Sequence, residues 1–261
     1  MVAIIVPIVI FCVNIERIDA ETKLPLPTPV SGTDVKIYIS AFEKAKQGNW
    51  SVAHRIASKA KESLGAKILR WMDYSRPYNY SSFGTIQKFI NNNPDWPRQK
   101  QLLTNAETSM LKGVDDLTIK NWFRWRDPVS KNGRLSLVKL LIKDGKYDQA
   151  KKLIKLSWIN DNYTRKELRE VYKLYKPFLD SQYHKLRIDR LLWDNRQSDA
   201  RYMFHYVTMD QQLLATARIA LRNLSGGVDK AIAKVPDKLK NSAGLMYERL
   251  RWRRLKGRHA S

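Results

Sequence analysis

Apolar positions along this chain recur every three or four residues, which is the spacing of an amphipathic helix. One such row runs through Tyr147, Ala150, Leu153, Ile154, Ser157 and Trp158. A second row runs through Leu213, Leu214, Ala217 and Leu221. The two-residue alternation typical of strands is not sustained, because its nearest approach, Ile37 to Ile39, is too short to distinguish from the start of a helix. The pattern therefore predicts an all-α fold.

A short motif recurs among these helices. The segment from Gly48 to Ala53 matches that from Gly145 to Ala150, and Asn195 to Ala200 is a weaker copy. Glycine or asparagine accepts the left-handed backbone that ends one helix, and the alanine five residues later lets the next helix pack closely. Each copy predicts a helical hairpin of the tetratricopeptide kind. Because the copies are unevenly spaced, we expect an irregular helix-hairpin superhelix, a TPR-like α-solenoid.

The segment from Phe89 to Glu107 predicts a rigid corner. Pro94 and Pro97 cannot both lie inside one helix, since each lacks an N–H and disfavours helical geometry in the residue before it. We expect Pro97 to occupy the first position of the new helix and Trp96 to fill the corner as an apolar wedge. Further helix breaks are predicted at Lys131 to Gly133, Ser225 to Gly227 and Pro236.

The charge balance narrows the expected partners. Lysine and arginine number 48 against 25 aspartate and glutamate, a formal charge of +23, while 43% of residues are hydrophobic. Such a chain can fold and presents a basic surface that attracts polyanions such as nucleic acid, anionic lipid or the carboxylates of a bacterial cell wall. The alternative is that a lysine-rich proteome has placed basic residues at every surface position.

The amino terminus predicts export. The apolar run from Val2 to Val13 is too short to span a membrane, and Ile18 to Ala20 gives a cleavage site, so residues 1–20 read as a signal peptide. No basic residue precedes the run, which leaves an uncleaved anchor as the alternative. Residues 21–33 carry alternating prolines and predict a tether, followed by an α-superhelical domain at 34–261. The only cysteine, Cys12, lies in the leader. We expect a periplasmic protein with no membrane span after cleavage.

Several ordered segments resemble the N-terminal superhelical domain of bacterial soluble lytic murein transglycosylases, most closely the alphaproteobacterial type. The resemblance covers roughly residues 34–261. The matching segments are 89–107, 133–135 with the hairpin at Gly145, 191–193, 217–221, 227–232 and 247–254. It implies a ring or horseshoe around peptidoglycan strands, with the cutting done by a separate C-terminal lysozyme-like domain. Because the helix from Leu245 to Leu255 runs into a turn with no following helix, we expect the N-terminal portion of a longer ancestor.

The family's catalytic motif has only scattered counterparts. Its Glu-Ser pair matches Glu62 and Ser63, and its Gly-Leu-Met segment matches Gly244 to Met246, which lie too far apart for one small catalytic domain. Glu62 is also predicted to lie on a helix from Val52 to Ser63. We therefore assign no catalytic residue and expect the chain to be inactive unless a separately encoded lysozyme-like domain joins it.

Other chemistry finds little support in the sequence. The four histidines are scattered without metal-ligand spacing, and no phosphate-binding loop is present, so neither a metal nor a cofactor is expected. Two clusters mix arginine with aromatic residues and are candidate peptidoglycan contacts: Arg124, Trp125 and Arg126, and then Arg249, Arg251, Arg253 and Arg254. Trp122 and Trp125 would share a helix face, which favours packing over ligand contact. Trp252 is likewise assigned to the core.

Three functions remain open. The first is a periplasmic, peptidoglycan-associated scaffold without its own catalytic domain, or half of a split transglycosylase. The second is a general helical-repeat module that binds a protein. The third, a nucleic-acid binder, requires a cytoplasmic chain, so nucleic acid is not an expected partner of an exported one.

Overall fold

The computed structural model describes residues 30–77 and 79–257, and in this part of the chain it contains 15 α-helices, three short 3-10 helices and no strand. The α-helices are α1 Gly32–Lys46, α2 Trp50–Ala57, α3 Ser63–Ser75, α4 Phe83–Asn92, α5 Gln99–Ser109, α6 Asp116–Trp122, α7 Lys131–Lys143, α8 Tyr147–Asn160, α9 Arg165–Tyr175, α10 Ser181–Trp193, α11 Gln197–Tyr202, α12 Met209–Arg222, α13 Val228–Ala233, α14 Asp237–Lys240 and α15 Ala243–Leu255. The 3-10 helices are Met110–Lys112, Lys176–Phe178 and Met203–Tyr206. The prediction of an all-α fold is confirmed.

Two compact units divide the chain, and the first comprises the described residues 30–69. In this unit α1 packs against α2, and small buried side chains let the helices approach closely. The buried residues of this core are Tyr38, Ala41, Ala45, Ala53, Ala57 and Leu69. Ser31 caps α1 by accepting from the backbone N–H of Asp34 at 3.1 Å.

The expected helix from Val52 to Ser63 is wrong, because α2 ends at Ala57 and the next helix begins at Ser63. The buried carboxylate of Asp34 accepts hydrogen bonds from the backbone N–H groups of Lys61 and Glu62, at 3.2 and 2.9 Å. The Tyr38 hydroxyl donates to the carbonyl of Glu62. These contacts hold the backbone in a turn that satisfies its polar groups from outside the helix.

The second unit comprises the described residues from 70 to 257. Its helices pack in sequence: α4 against α5, α5 against α7, and α7 against α8. From there α8 packs against α10, α10 against α12, and α12 against α15. The apolar core follows this order in three clusters, which centre on Phe89 and Trp122, on Ile154 and Trp158, and on Leu221 and Leu245.

The three predicted hairpins are confirmed as local structures. Gly48, Gly145 and Asn195 have left-handed φ angles of 79°, 72° and 57°. In each turn the following N–H bonds back to a carbonyl five residues earlier, as in the bond of Lys146 to Leu141 at 2.7 Å. The alanines that follow these turns, Ala53, Ala150 and Ala200, are all 0% exposed. A fourth turn of this type has Leu224 at its left-handed position, with φ 53°.

Two of the three further breaks are confirmed. The chain leaves its helices at 225–227 and at Pro236. The break predicted at Lys131 to Gly133 is wrong, because these residues form the first turn of α7. Ser130 caps that helix, since its hydroxyl accepts from the N–H of Gly133 at 2.9 Å.

The double-proline segment separates two helices as predicted, with α4 ending at Asn92 and α5 beginning at Gln99. Pro97 is not the first helical residue, because Arg98 precedes α5 with a left-handed φ of 61°. Trp96 is only half-buried, so it fills the corner in part. Its ring meets those of Phe89 and Trp71 edge-on, with centroids 5.7 and 6.2 Å away.

An aromatic cluster in the second unit encloses His184. The imidazole centroid lies 5.4 Å from Trp158, 5.6 Å from Tyr172 and 5.8 Å from Tyr206. Burial lowers the pKa of His184, and the nearby charge of Asp180 opposes that effect. The Nδ1 atom has no hydrogen-bond partner among the described residues. The cluster therefore favours a neutral ring.

We expect His184→Phe to reduce the acid sensitivity of folding. The folded state binds this proton less readily than the unfolded chain, so the stabilising effect is complete above a pH of about 6.5 and is lost as pH falls through the lower folded-state value. The slope removed is at most about 1.4 kcal/mol per pH unit. Urea melts of both proteins between pH 7.5 and 4.5 measure it. If the unfolding free energies of the two proteins changed with pH in parallel, the conclusion that the cluster favours a neutral His184 would be wrong.

Replacing Gly145 by alanine should destabilise the chain by about 1 to 2 kcal/mol, because a Cβ is disfavoured at a left-handed φ. Gly226 provides the matched control: its φ is not left-handed and an added Cβ would meet nothing within 4 Å. Gly226→Ala should therefore change stability by less than about 0.5 kcal/mol. Equal unfolding free energies for the two variants would rule out this account of the hairpin turn.

Candidate functional site

The first arginine-aromatic cluster lies in the loop between α6 and α7, at residues 123–130. Trp122 is 1% exposed and packs edge-on against Phe83 at a centroid distance of 5.1 Å, whereas Trp125 is 85% exposed. The expectation that Trp122 and Trp125 share a helix face is wrong, because α6 ends at Trp122 and helical spacing does not extend past it. Core packing therefore does not account for Trp125, whose ring is accessible to a ligand.

Two guanidinium groups accompany these rings. The Arg124 guanidinium carbon lies 5.2 Å from the centroid of Trp125, and that of Arg126 lies 4.5 Å from the centroid of Trp122. Both arginines are exposed, and neither forms an ion pair with a residue that the structure describes. The loop therefore exposes one indole with a guanidinium beside its ring and a second guanidinium nearby in the chain, a combination suited to a ligand with flat apolar faces and carboxylates.

A groove of about 670 Å³ opens beside this loop, between α6, α7 and α8. Its apolar lining comes from Leu117, Phe123, Pro128, Leu137, Leu140, Leu141 and Leu153. Its charged lining comes from Lys120, Arg124, Lys146 and Lys152, with Asp127 and Asp144. The one ion pair among these described groups, Lys120 to Asp144 at 3.4 Å, is exposed and therefore weak. Except for Arg124, sequence reasoning missed this lining, because it comes from three separate elements.

The carboxylate of Glu107 fixes the far end of the loop. This side chain is 1% exposed and accepts from the backbone N–H of Val129 at 3.0 Å and of Ser130 at 2.7 Å. These donors lie at the start of α7, where the helix dipole favours a negative charge. Gly133 makes this approach possible, because an added Cβ would lie 2.2 Å from Oε2 of Glu107.

Arg134 adds a second anchor for the same loop. Its guanidinium donates to the carbonyl of Pro128 at 3.2 Å and forms a two-pronged ion pair with Asp161, whose Oδ2 lies 2.8 Å from Nε. The hydrogen bonds to Asp161 raise the pKa of Arg134. With Trp122 buried at one end and these contacts at the other, both ends of the loop are fixed without any ligand.

The second cluster lies on α15, and the structure does not bring it together with the first, since α15 packs on α12. Arg251 donates to the carbonyl of Arg222 at 3.1 Å, so it has a structural role. Arg249 and Arg253 are half-buried, and Arg254 is exposed. Trp252 is also half-buried, so its assignment to the core holds only in part.

Apolar side chains on α15 are exposed next to these arginines. They are Met246, Tyr247, Leu250 and Leu255. Trp193 of α10 extends this surface, with its ring centroid 5.1 Å from that of Tyr247. A surface that combines apolar and basic side chains in this way is more typical of a protein interface than of a sugar site.

The scattered catalytic-motif residues lie in structural positions. Glu62 is exposed in the turn before α3, where its backbone is bound by Asp34 and Tyr38. Gly244 lies in the first turn of α15 against the guanidinium of Arg218. Among the described residues no group of three or more histidine, cysteine, aspartate or glutamate side chains is placed to hold a metal ion. Within residues 30–77 and 79–257, no helix has the length and apolar character needed to cross a bilayer.

Residues 1–20, the predicted signal peptide, and most of the predicted tether at 21–33 lie outside the described residues. The first described helix begins at Gly32. The export prediction therefore stays a prediction.

Comparison with known proteins does not assign the chain to a family. No protein-family model matches the chain, and no curated protein or solved structure matches it significantly.

The contact between Glu107 and Gly133 predicts a non-additive pair of substitutions. Glu107→Ala should destabilise the chain by about 3 kcal/mol, because the buried N–H of Ser130 and the part-buried N–H of Val129 lose their acceptor. Gly133→Ala alone should destabilise it by about 1 to 3 kcal/mol, because the new Cβ displaces the carboxylate. In the Glu107→Ala background, Gly133→Ala should cost less than about 0.5 kcal/mol, since the obstacle is gone.

Chemical denaturation of the four proteins measures this cycle. Gly84→Ala is the control, because Gly84 lies on α4 with nothing within 4 Å of an added Cβ. It should stabilise the chain by about 0.5 to 1 kcal/mol, as alanine favours a helix. Additive effects of Glu107→Ala and Gly133→Ala would show that the two residues do not share this contact.

Proposed function

We propose that this chain is a periplasmic helical-repeat scaffold, a TPR-like superhelix over residues 34–261, that binds peptidoglycan through the loop at 123–130 and the groove beside it. The observation that carries the proposal is Trp125, which is 85% exposed and follows Arg124 in the chain, a residue that lines a groove of about 670 Å³. Tryptophan and arginine are enriched among the side chains that contribute most to binding at interfaces.

The choice of peptidoglycan rests on two supports. The ordered segments that resemble soluble lytic transglycosylases supply the ligand class, since that family's superhelix surrounds peptidoglycan strands. The local chemistry agrees with this ligand, because a polymer of sugar rings and carboxylate-bearing peptides offers flat faces to Trp125 and negative charges to Arg124, Lys120 and Lys152. Catalysis by this chain is not part of the proposal.

A protein partner is the second candidate, and the exposed surface of α15 favours it. Leu250 is 65% exposed and lies on the same helix as Met246 and four arginines. Apolar side chains with arginine nearby are enriched at protein interfaces. A catalytic, separately encoded lysozyme-like protein is one partner of this kind.

Binding to purified cell-wall sacculi tests the first candidate. Wild-type protein should sediment with sacculi at low salt and less at high salt, because exposed charges are screened over about 8 Å at physiological ionic strength. Trp125→Ala should weaken binding about tenfold, which corresponds to about 1.4 kcal/mol. The soluble fraction should contain no anhydromuropeptides released by the protein.

Tyr80→Ala is the matched control, because its ring is 79% exposed and it lies outside the loop at 123–130 and outside the lining of the groove. It should bind sacculi as the wild type does. Loss of binding in both variants would indicate non-specific adhesion. Binding that Trp125→Ala leaves intact but Leu250→Glu abolishes would move the site to α15 and favour the second candidate.

A further inference from the structure

A second cavity, of about 500 Å³, lies between the start of α9, α11 and the end of α12. Its lining consists of Arg165, Gln197, Ser198, Arg201, Tyr202, His205 and Asn223. None of these residues is acidic. A cavity with positively ionisable groups and no counter-charge in its wall has a field that favours anions.

The basic groups converge on one ring. The Arg165 guanidinium carbon lies 5.4 Å from the ring centroid of Tyr202, and the His205 ring lies 6.1 Å from it. The Tyr202 hydroxyl accepts from Nη1 of Arg169 at 3.2 Å, so it already faces positive charge. These groups come from α9, α11 and the 3-10 helix that follows α11.

Other arginines in this region form ion pairs, whereas two arginines of the cavity do not. Arg190 and Arg196 pair with Asp194 and Asp199, at 2.9 and 2.6 Å. In contrast, Arg165 and Arg201 form no ion pair with any residue in the described part of the chain. The guanidinium groups of the cavity are therefore available to a ligand, and a guanidinium binds an oxyanion with two parallel hydrogen bonds.

One wall of the cavity is fixed by a reciprocal amide pair. Gln197 donates to Asn223 Oδ1 at 2.7 Å, and Asn223 donates back to Gln197 Oε1 at 2.8 Å. This pair joins α11 to the residue that ends α12, and so it holds the cavity wall without using any of the basic groups. A wall that is already ordered lowers the entropy lost on binding.

We propose that this cavity binds a small oxyanion that carries at least two negative charges, either a phosphate compound or a dicarboxylate. Arg165 and Arg201 supply the two guanidinium contacts from different helices, and the hydroxyl of Ser198 supplies a neutral donor. The inference is independent of the proposed peptidoglycan site, because the two cavities share no lining residue.

Isothermal titration of the full chain with inorganic pyrophosphate and, separately, with glutarate tests the proposal. At low salt at least one of the two should bind with one-to-one stoichiometry. Binding of pyrophosphate alone assigns the cavity to phosphate compounds, and binding of glutarate alone assigns it to dicarboxylates. Arg165→Gln and Arg201→Gln should each weaken the bound probe at least about tenfold, as expected for the loss of a charge-assisted contact.

Arg55→Gln is the control, because it removes one exposed charge of the first unit without touching the cavity. It should keep wild-type affinity. Since Arg165 and Arg201 are exposed, their variants should also keep the wild-type melting temperature, so weaker binding cannot come from unfolding. Absence of binding by both probes, or an equal loss in Arg55→Gln, would overturn the proposal.

Discussion

Buried or half-buried charged side chains that bond to the backbone at distant helix ends are the interaction on which the rest of this structure depends. Short helices leave many N–H and C=O groups without an intrahelical partner, and a buried one is costly. Asp34 of α1 accepts from N–H groups just before α3, and Glu107 of α5 accepts from N–H groups at the start of α7. Arg187 and Arg251 donate to carbonyls at the ends of earlier ones. Each bond spans 22 to 29 residues and so joins successive segments of the fold.

These bonds place charged groups in apolar surroundings, which costs free energy. Several hydrogen-bond or ring partners around each charged group offset that cost. Arg187 shows the balance: burial lowers its pKa to about 10, while two backbone carbonyls and the ring faces of Trp158 and Tyr163 surround its guanidinium. The Glu107 carboxylate is bound in the same way, with donors supplied by the start of α7. This carboxylate fixes the end of the loop that carries Trp125, because it binds the backbone of Val129 and Ser130. The candidate binding surface is thus a consequence of how the helix ends are stabilised.

Sequence alone predicted the parts of the fold that depend on local backbone chemistry. The hairpins at Gly48, Gly145 and Asn195 follow from residues that tolerate a left-handed backbone, with a small residue at a fixed offset. The helix break at Ser225 to Gly227 was predicted, but the left-handed backbone of Leu224 just before it was not, because leucine is a poor residue for that conformation.

The rest of the structure depends on contacts between distant segments, which the sequence pattern did not predict. The end of α2 at Ala57 was missed because the following turn is held by Asp34, 27 residues before Lys61. Trp125 was assigned to a helix face because the helix was expected to continue past Trp122, where α6 ends. Both cavities were missed because their walls come from separate elements with no shared motif.

Hydrogen exchange with soluble muropeptides tests most directly whether the loop at 123–130 and the groove beside it bind peptidoglycan. Without ligand, the N–H groups of Val129 and Ser130 should already exchange slowly, because Glu107 binds them outside any helix. Added muropeptides should slow exchange in residues 117–128 and 146–153 and leave α15 unchanged. Fast exchange at 129–130, or protection confined to α15, would contradict the account.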